Sequence, residues 1–243
     1  MREEVHGHQP RTIAGYAAAW TRVVLEVCHE ADGETHAYAT ESVGLYTLDE
    51  PERSIDAGAL LRERVIADPP YWALVWTGAR AIAAVVASMA FSPDIKVLDL
   101  GCGLGLAGMA AARRGAAVTF GDYLEEPLAF VRATLAQGAE SGCEVRSIDF
   151  TLDDEHGRFD LILAADIVYD PAHYAPLASF LDRSIAPSGT ILLTESLRAD
   201  ASVFLEGMLA HGFVDDKRAL WVMEDGRRER TWLHSLQRVA CSI

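Results

Sequence analysis

The sequence predicts an α/β protein: a mostly parallel sheet with helices on both faces, closed by an antiparallel C-terminal hairpin. Three features predict it. Beyond Ser92-Pro93, apolar runs of strand length alternate with helical stretches, the pattern of successive βαβ units. The first run empties into a loop with glycine at every second position, Gly101-Cys102-Gly103-Leu104-Gly105. The last two apolar segments, residues 218–223 and 230–239, flank a Glu224-Asp225-Gly226 turn and read as a hairpin.

Taken in order, residues 12–31 carry Ile13, Tyr16, Ala17, Trp20, Val23, Val24 and Val27 at helical spacing and predict an amphipathic helix. Residues 37–48 are more strand-like. Residues 50–53 form a polar break, and Asp68-Pro69-Pro70 forms a stronger one, because each proline biases its predecessor away from helix. That places an N-terminal helical and strand extension over residues 1–68 and the core domain over 69–243. Residues 72–91 contain one charge, Arg80, and have the length of a membrane span. Their alanine content, Gly78 and the cost of Arg80 at mid-bilayer argue instead for a buried helix capped by Thr77. Strands follow at 96–100, 117–121, 143–148, 159–165 and 190–194, with helices at 107–114, 125–137, 174–183 and 202–211. Five parallel strands and the hairpin make a seven-stranded sheet.

Composition narrows the function. Half of the 243 residues are apolar, enough for a core without disulfides. The four cysteines (Cys28, Cys102, Cys143, Cys241) are scattered, which excludes a zinc framework and fits a reducing cytoplasm. No apolar run followed by a small-residue cleavage site opens the chain, so secretion is not expected. A formal charge of −15 repels phosphate backbones and attracts cations, so nucleic acid is a poor substrate.

The glycine loop sits where an open α/β sheet binds a nucleotide-like cofactor. Gly103 to Gly108 also matches the dinucleotide fingerprint, a weak signal by itself. Asp99, just before the glycines, decides between the two: its carboxylate opposes a pyrophosphate but suits a cofactor carrying an ammonium and a sulfonium, S-adenosylmethionine. Asp122, ending the second strand, stands where a carboxylate accepts from ribose hydroxyls. Tyr123 beside it either packs on the adenine or belongs to the core.

The pattern Asp99-x-Gly101-x-Gly103-x-Gly105 resembles motif I of the S-adenosylmethionine-dependent methyltransferases, and the strand order resembles their Rossmann-like seven-stranded fold. Two further blocks, 70–81 (Pro-Tyr-Trp-Ala-Leu-Val-Trp-Thr-Gly-Ala-Arg-Ala) and 161–170 with Asp166-Ile-Val-Tyr169, resemble the Asp-x-x-Tyr protein lysine methyltransferases, in particular the electron transfer flavoprotein β-subunit lysine methyltransferase group. The likeness runs from about Pro69 to the C-terminus. It implies that Trp76 lies over the cofactor, that Asp149, followed by Phe150, accepts from the adenine amino group, and that Asp166 and Tyr169 are catalytic. The plainer alternatives are that Asp149 belongs to a solvated acidic loop with Asp153 and Asp154, that Asp166 caps a loop or helix, and that Tyr169 is core.

Methyl transfer to a lysine amine of a protein substrate is therefore the expected function, and no metal is required. A small amine or pyridine nitrogen (nicotinamide-like) is the runner-up acceptor. Adenine or amide acceptors go with Asn/Asp-Pro-Pro-aromatic at this strand end, and Ile167-Val168 lacks both prolines. An NAD-dependent oxidoreductase would need a Tyr-x-x-x-Lys or His/Asp pair; with lysine only at Lys96 and Lys217, the former is missing. A non-catalytic binding module is disfavoured by the intact Asp99, Asp122 and Asp166.

Overall fold

The computed structural model describes residues 3–4, 11–31, 33–38, 40–51, 70–92, 94–138, 140–152, 156–195 and 201–239. The expected break at Asp68-Pro69 and the acidic residues Asp153 and Asp154 lie outside them. The central sheet contains the parallel strands β7 (Lys96–Leu100), β8 (Ala117–Asp122), β9 (Glu144–Ser147), β10 (Phe159–Ala165) and β11 (Ile185–Glu195), followed by the hairpin β12 (Phe213–Glu224) and β13 (Arg227–Arg238). Its order over these strands is β9-β8-β7-β10-β11-β13-β12, with β13 inserted antiparallel between β11 and β12. The fold is thus the mixed α/β sheet with helices that the sequence predicts.

The inner strands β7, β8 and β10 read as nearly continuous apolar runs because both faces are buried. In β7 and β10, Val97, Leu161 and Leu163 face one core with α1 (Thr77–Ala87), α2 (Leu106–Arg113) and α3 (Glu125–Leu135). Leu98, Leu100, Ile162 and Ala164 face a second core with α4 (Tyr174–Ser184) and α5 (Ser202–Ala210). Ala81, Ala83, Ala84 and Ala87 of α1 are almost wholly buried, a small-residue surface that lets the helix pack closely. At eleven residues it is too short to cross a bilayer, and no helix among the described residues is long and apolar enough to do so.

The N-terminal helix expected over residues 12–31 is not there. The chain instead forms β2 (Arg11–Ile13), β3 (Tyr16–Leu25) and β4 (Val27–Ala31). Ala14 and Gly15, at φ 49° and 86°, make a two-residue turn that pairs Ile13 with Tyr16. Trp20, Thr21, Val23, Val24 and Val27 are β-branched or aromatic, and burial of Val23, Leu25 and Val27 alternates with partly or fully exposed neighbours. β3 pairs along its length with β6 (Glu41–Leu48), the strand-like segment, in a sheet that also holds β1 (Glu3–Glu4) and β2. β4 instead extends the main sheet by pairing with β12, and β5 (Glu34–Ala37) forms the outer edge. The extension shares the core of the larger domain: Tyr46 N–H donates to Thr134 Oγ1 on α3 at 2.9 Å, and Tyr16 meets Trp72 edge-on at 5.4 Å.

Candidate active site

The chain leaves β7 toward β8 and β9 on one side and returns at β10 on the other. That order reversal opens a crevice at the carboxyl ends of β7 and β10. A cavity of about 280 Å³ fills it. It is lined by every site residue expected from the sequence except Gly105: Trp76, Asp99, Gly101, Gly103, Asp122, Tyr123, Asp149, Phe150, Asp166 and Tyr169.

Asp99, the penultimate residue of β7, is buried, and its Oδ2 accepts from the Gly108 N–H of α2 at 2.8 Å. Burial raises its carboxyl to about 7, a rise opposed by the Gly108 hydrogen bond and supported by the charge of Asp122. Asp122 accepts from the Gly103 N–H at 3.1 Å and the Leu124 N–H at 3.1 Å. Burial raises its carboxyl too, against those backbone donors. Among the described residues neither carboxylate is in an ion pair. Two buried carboxyl groups beside one crevice, whose ionisation burial opposes and no neighbouring cation favours, suit a ligand that brings positive charge and oppose one that brings a pyrophosphate.

The glycines divide into two roles. Gly103, at φ 51°, passes under the backbone of Trp72, and a Cβ there would stand 3.3 Å from the Trp72 carbonyl oxygen. Gly105, at φ 80°, begins α2 behind the crevice, where a Cβ would press on Val131 and Phe120. It fits the helix to the strand and does not face the cavity.

Past the loop, Tyr123 is half exposed at the rim. Asp149 Oδ1 accepts from the Thr151 N–H at 2.9 Å and its hydroxyl at 2.6 Å, closing a turn that presents Phe150 to the cavity. Phe150 meets His173 edge-on, and Tyr71 meets both Trp76 and Tyr169. Trp76 is fixed by its indole N–H donating to the Tyr71 carbonyl at 2.7 Å. Tyr71, Ile148 and His173 are lining residues that the sequence reading missed; Tyr71 lies inside the quoted Pro70–Ala81 block, while Ile148 and His173 carry no signal of their own.

Asp166 follows β10 in the left-handed region, at φ 54°, with its N–H bonded to the Thr194 carbonyl of β11. Its Oδ2 accepts from the Gly78 N–H at 2.9 Å. Thr77, expected as the cap of α1, begins the helix instead and points its hydroxyl at Glu224; Trp76 holds the cap position, and its side chain makes no capping bond to the helix. Asp166 supplies that cap from across the sheet, satisfying an orphan N–H and placing a carboxylate at the positive end of α1. It faces the crevice as well. A Cβ on Gly78 would collide with both Asp166 Oδ2 and the buried Thr194 Oγ1, so glycine is needed for the contact. Tyr169 is half exposed over Tyr71 rather than core.

A buried acidic crevice under a glycine loop, with a carboxylate and a phenol one strand away, is arranged to hold a ligand. A family model described as lysine methyltransferase matches residues 73–211, more than half of the chain, and the chain belongs to that family. It is 30% identical over 135 residues to an electron transfer flavoprotein β-subunit lysine methyltransferase of Danio rerio, covering 51% of this chain and 48% of that protein. It is 34% identical over 126 residues to EEF1A lysine methyltransferase 3 of Mus musculus, covering 49% and 53%. The chain spans about half the length of these relatives. Among solved structures it shares its fold with the [4+2]-cyclase SpnF (TM-score 0.56, 17% identity, 69% of this chain and 84% of that one). A TehB-like SAM-dependent methyltransferase of Corynebacterium glutamicum has the same fold (TM-score 0.53, 18% identity, 65% and 87%).

Proposed function

We propose that the protein is an S-adenosylmethionine-dependent methyltransferase whose acceptor is the ε-amine of a lysine in a protein substrate. The pair of buried carboxylates, Asp99 and Asp122, facing the crevice without cationic partners among the described residues carries this reading. Asp99 and the glycine-loop backbone would hold the charged end of the cofactor, and Asp122 its ribose hydroxyls. Tyr123, Ile148, Phe150 and Asp149 would enclose the adenine. When bound, the cofactor supplies an electrophilic methyl group on a sulfonium.

The chain's own contribution is placement and proton handling. A lysine amine is protonated below its ordinary pKa of about 10.4 and must shed that proton before it attacks. The Asp166 carboxylate, pinned by the Gly78 N–H, would attract the ammonium and orient it, and the Tyr169 hydroxyl, lining the same crevice at its exposed edge, would pass the proton to water. Trp76 and Tyr71 keep bulk water off the transfer point. The three described cysteines are free thiols, which supports a reducing, cytoplasmic setting. Family membership supports lysine over other acceptors.

The test is incubation of the protein with methyl-labelled cofactor and cell extract, followed by hydrolysis of the labelled proteins. Labelled methyllysine is the expected product. Label confined to the low-mass fraction would show a small amine as acceptor and refute the lysine assignment.

A further inference from the structure

A second cavity, of about 630 Å³, lies against the first, and of the residues assigned to the cofactor only Trp76 lines it. The two share one wall, Leu74, Val75, Trp76 and Leu104. On its far side the second cavity is closed by the N-terminal strand β3, from Thr21 to Val24, and by the β12–β13 turn, Glu224 to Gly226. We propose that this cavity binds the acceptor: an extended segment of the protein substrate lies between the N-terminal strands and the hairpin turn, with its lysine directed past Trp76. This rests on the lysine methyltransferase reading above.

Three observations carry it. Displacement at a methyl group requires the nucleophile to arrive opposite the leaving sulfur, so donor and acceptor need separate voids meeting at one point. The shared strip ending at Trp76 is such a meeting place, and the second cavity's floor, Thr77 and Arg80, belongs to the first turns of the helix whose Gly78 N–H holds Asp166. Size favours polypeptide over a small amine. The second cavity is more than twice the volume of the first, and a lone amine would leave most of it unfilled.

Charge gives the third. Carboxylates of Glu26, Glu224 and Asp225 line the cavity against the guanidiniums of Arg22 and Arg80. Arg80 is drawn to Glu224, at 3.4 Å, and to the Val24 carbonyl, at 3.4 Å. Among the described lining residues the balance is anionic, within a chain of formal charge −15. It selects a lysine flanked by small or basic residues over one flanked by acids.

Two variants test the assignment without touching the cofactor crevice. Val24→Trp fills the cavity from β3, and Glu26→Arg reverses an exposed charge at its rim. Each is compared with wild type for the rate of methyllysine formation in extract proteins, at extract concentrations well below saturation. The dissociation constant of S-adenosylhomocysteine is measured alongside by calorimetry. The expected result is at least a tenfold fall for Val24→Trp and at least a threefold fall for Glu26→Arg, with S-adenosylhomocysteine binding unchanged within twofold. Should Val24→Trp lose S-adenosylhomocysteine binding and so prove misfolded, the Glu26→Arg rate decides. Wild-type labelling by correctly folded variants would overturn the acceptor site while leaving the lysine reading intact. Absence of methyllysine with the wild-type protein would overturn both.

Discussion

Cofactor binding should be coupled to the ionisation of Asp99. Burial lifts this carboxyl to about 7, so much of it is neutral in the empty protein near neutral pH. A cationic ligand end favours the ionised form, and its apparent affinity scales with the fraction of protein already in that form. The ionised fraction is about 3% at pH 5.5 and about half at pH 7, so affinity should rise about fifteenfold between them. The window lies below the α-amino pKa of about 7.7–8.0, which keeps the ligand's own ammonium charged throughout. Asp122, raised by the same burial, adds to the slope in the same direction. Titration calorimetry with S-adenosylmethionine across this range, in buffers of different ionisation enthalpy, reads both the constants and the proton released on binding. Asp99→Asn should remove most of the slope and bind at pH 7 about as weakly as wild type at pH 5.5. A wild-type constant that did not move with pH, or an Asn variant that kept the full slope, would refute the coupling.

Four further outcomes follow from the same geometry. Asp99 also makes the empty protein pH-sensitive. Its folded-state pKa is raised above the ordinary 3.8, so the stability it contributes is complete below about pH 4 and lost as pH rises to about 7, on the order of 4 kcal/mol. Denaturant melts at pH 4 and 7.5 should therefore show Asp99→Asn gaining on wild type as pH rises. Asp166→Ala should lower kcat at least a hundredfold and cost about 1 kcal/mol of stability through the lost α1 cap, read by kinetics and melting. Gly78→Ala, which displaces Asp166 and Thr194, should lower kcat at least tenfold and Tm by about 2–10 °C, reflecting overpacking of about 1–3 kcal/mol. Tyr169→Phe should lower kcat about tenfold or more while leaving S-adenosylhomocysteine binding unchanged, since its half-exposed ring at the rim stays in place.

Local chemistry was the legible part of this sequence. Strands β7, β8, β10 and β11 announce themselves because two-sided burial makes each a short apolar run, and Asp99, Asp122 and Asp166 fall at or just past the carboxyl ends of β7, β8 and β10. The N-terminal strands misread as helix because Tyr16, Trp20, Val23, Val24 and Val27 satisfy helical spacing by coincidence; the Ala14-Gly15 turn and the β-branched content were the signals against it. Asp166 could be read as a cap, but which helix it caps was illegible for a different reason. Asp166 and Gly78 lie 88 residues apart, and only the fold brings them together. Gly105 shows the reverse limit: its motif places it at the cofactor, while its neighbours Phe120 and Val131 make it a packing glycine. His173 enters the crevice from the single turn before α4, carried by backbone geometry that no spacing rule describes.

Differential scanning of the purified protein with S-adenosylmethionine and, separately, NAD tests most directly whether Asp99 and Asp122 await a positive ligand. At 100 times its dissociation constant the methyl donor should stabilise the protein by about 2.7 kcal/mol, raising Tm by about 5–10 °C. NAD should leave the melt where it was. A rise with NAD and none with S-adenosylmethionine would contradict the account at its centre.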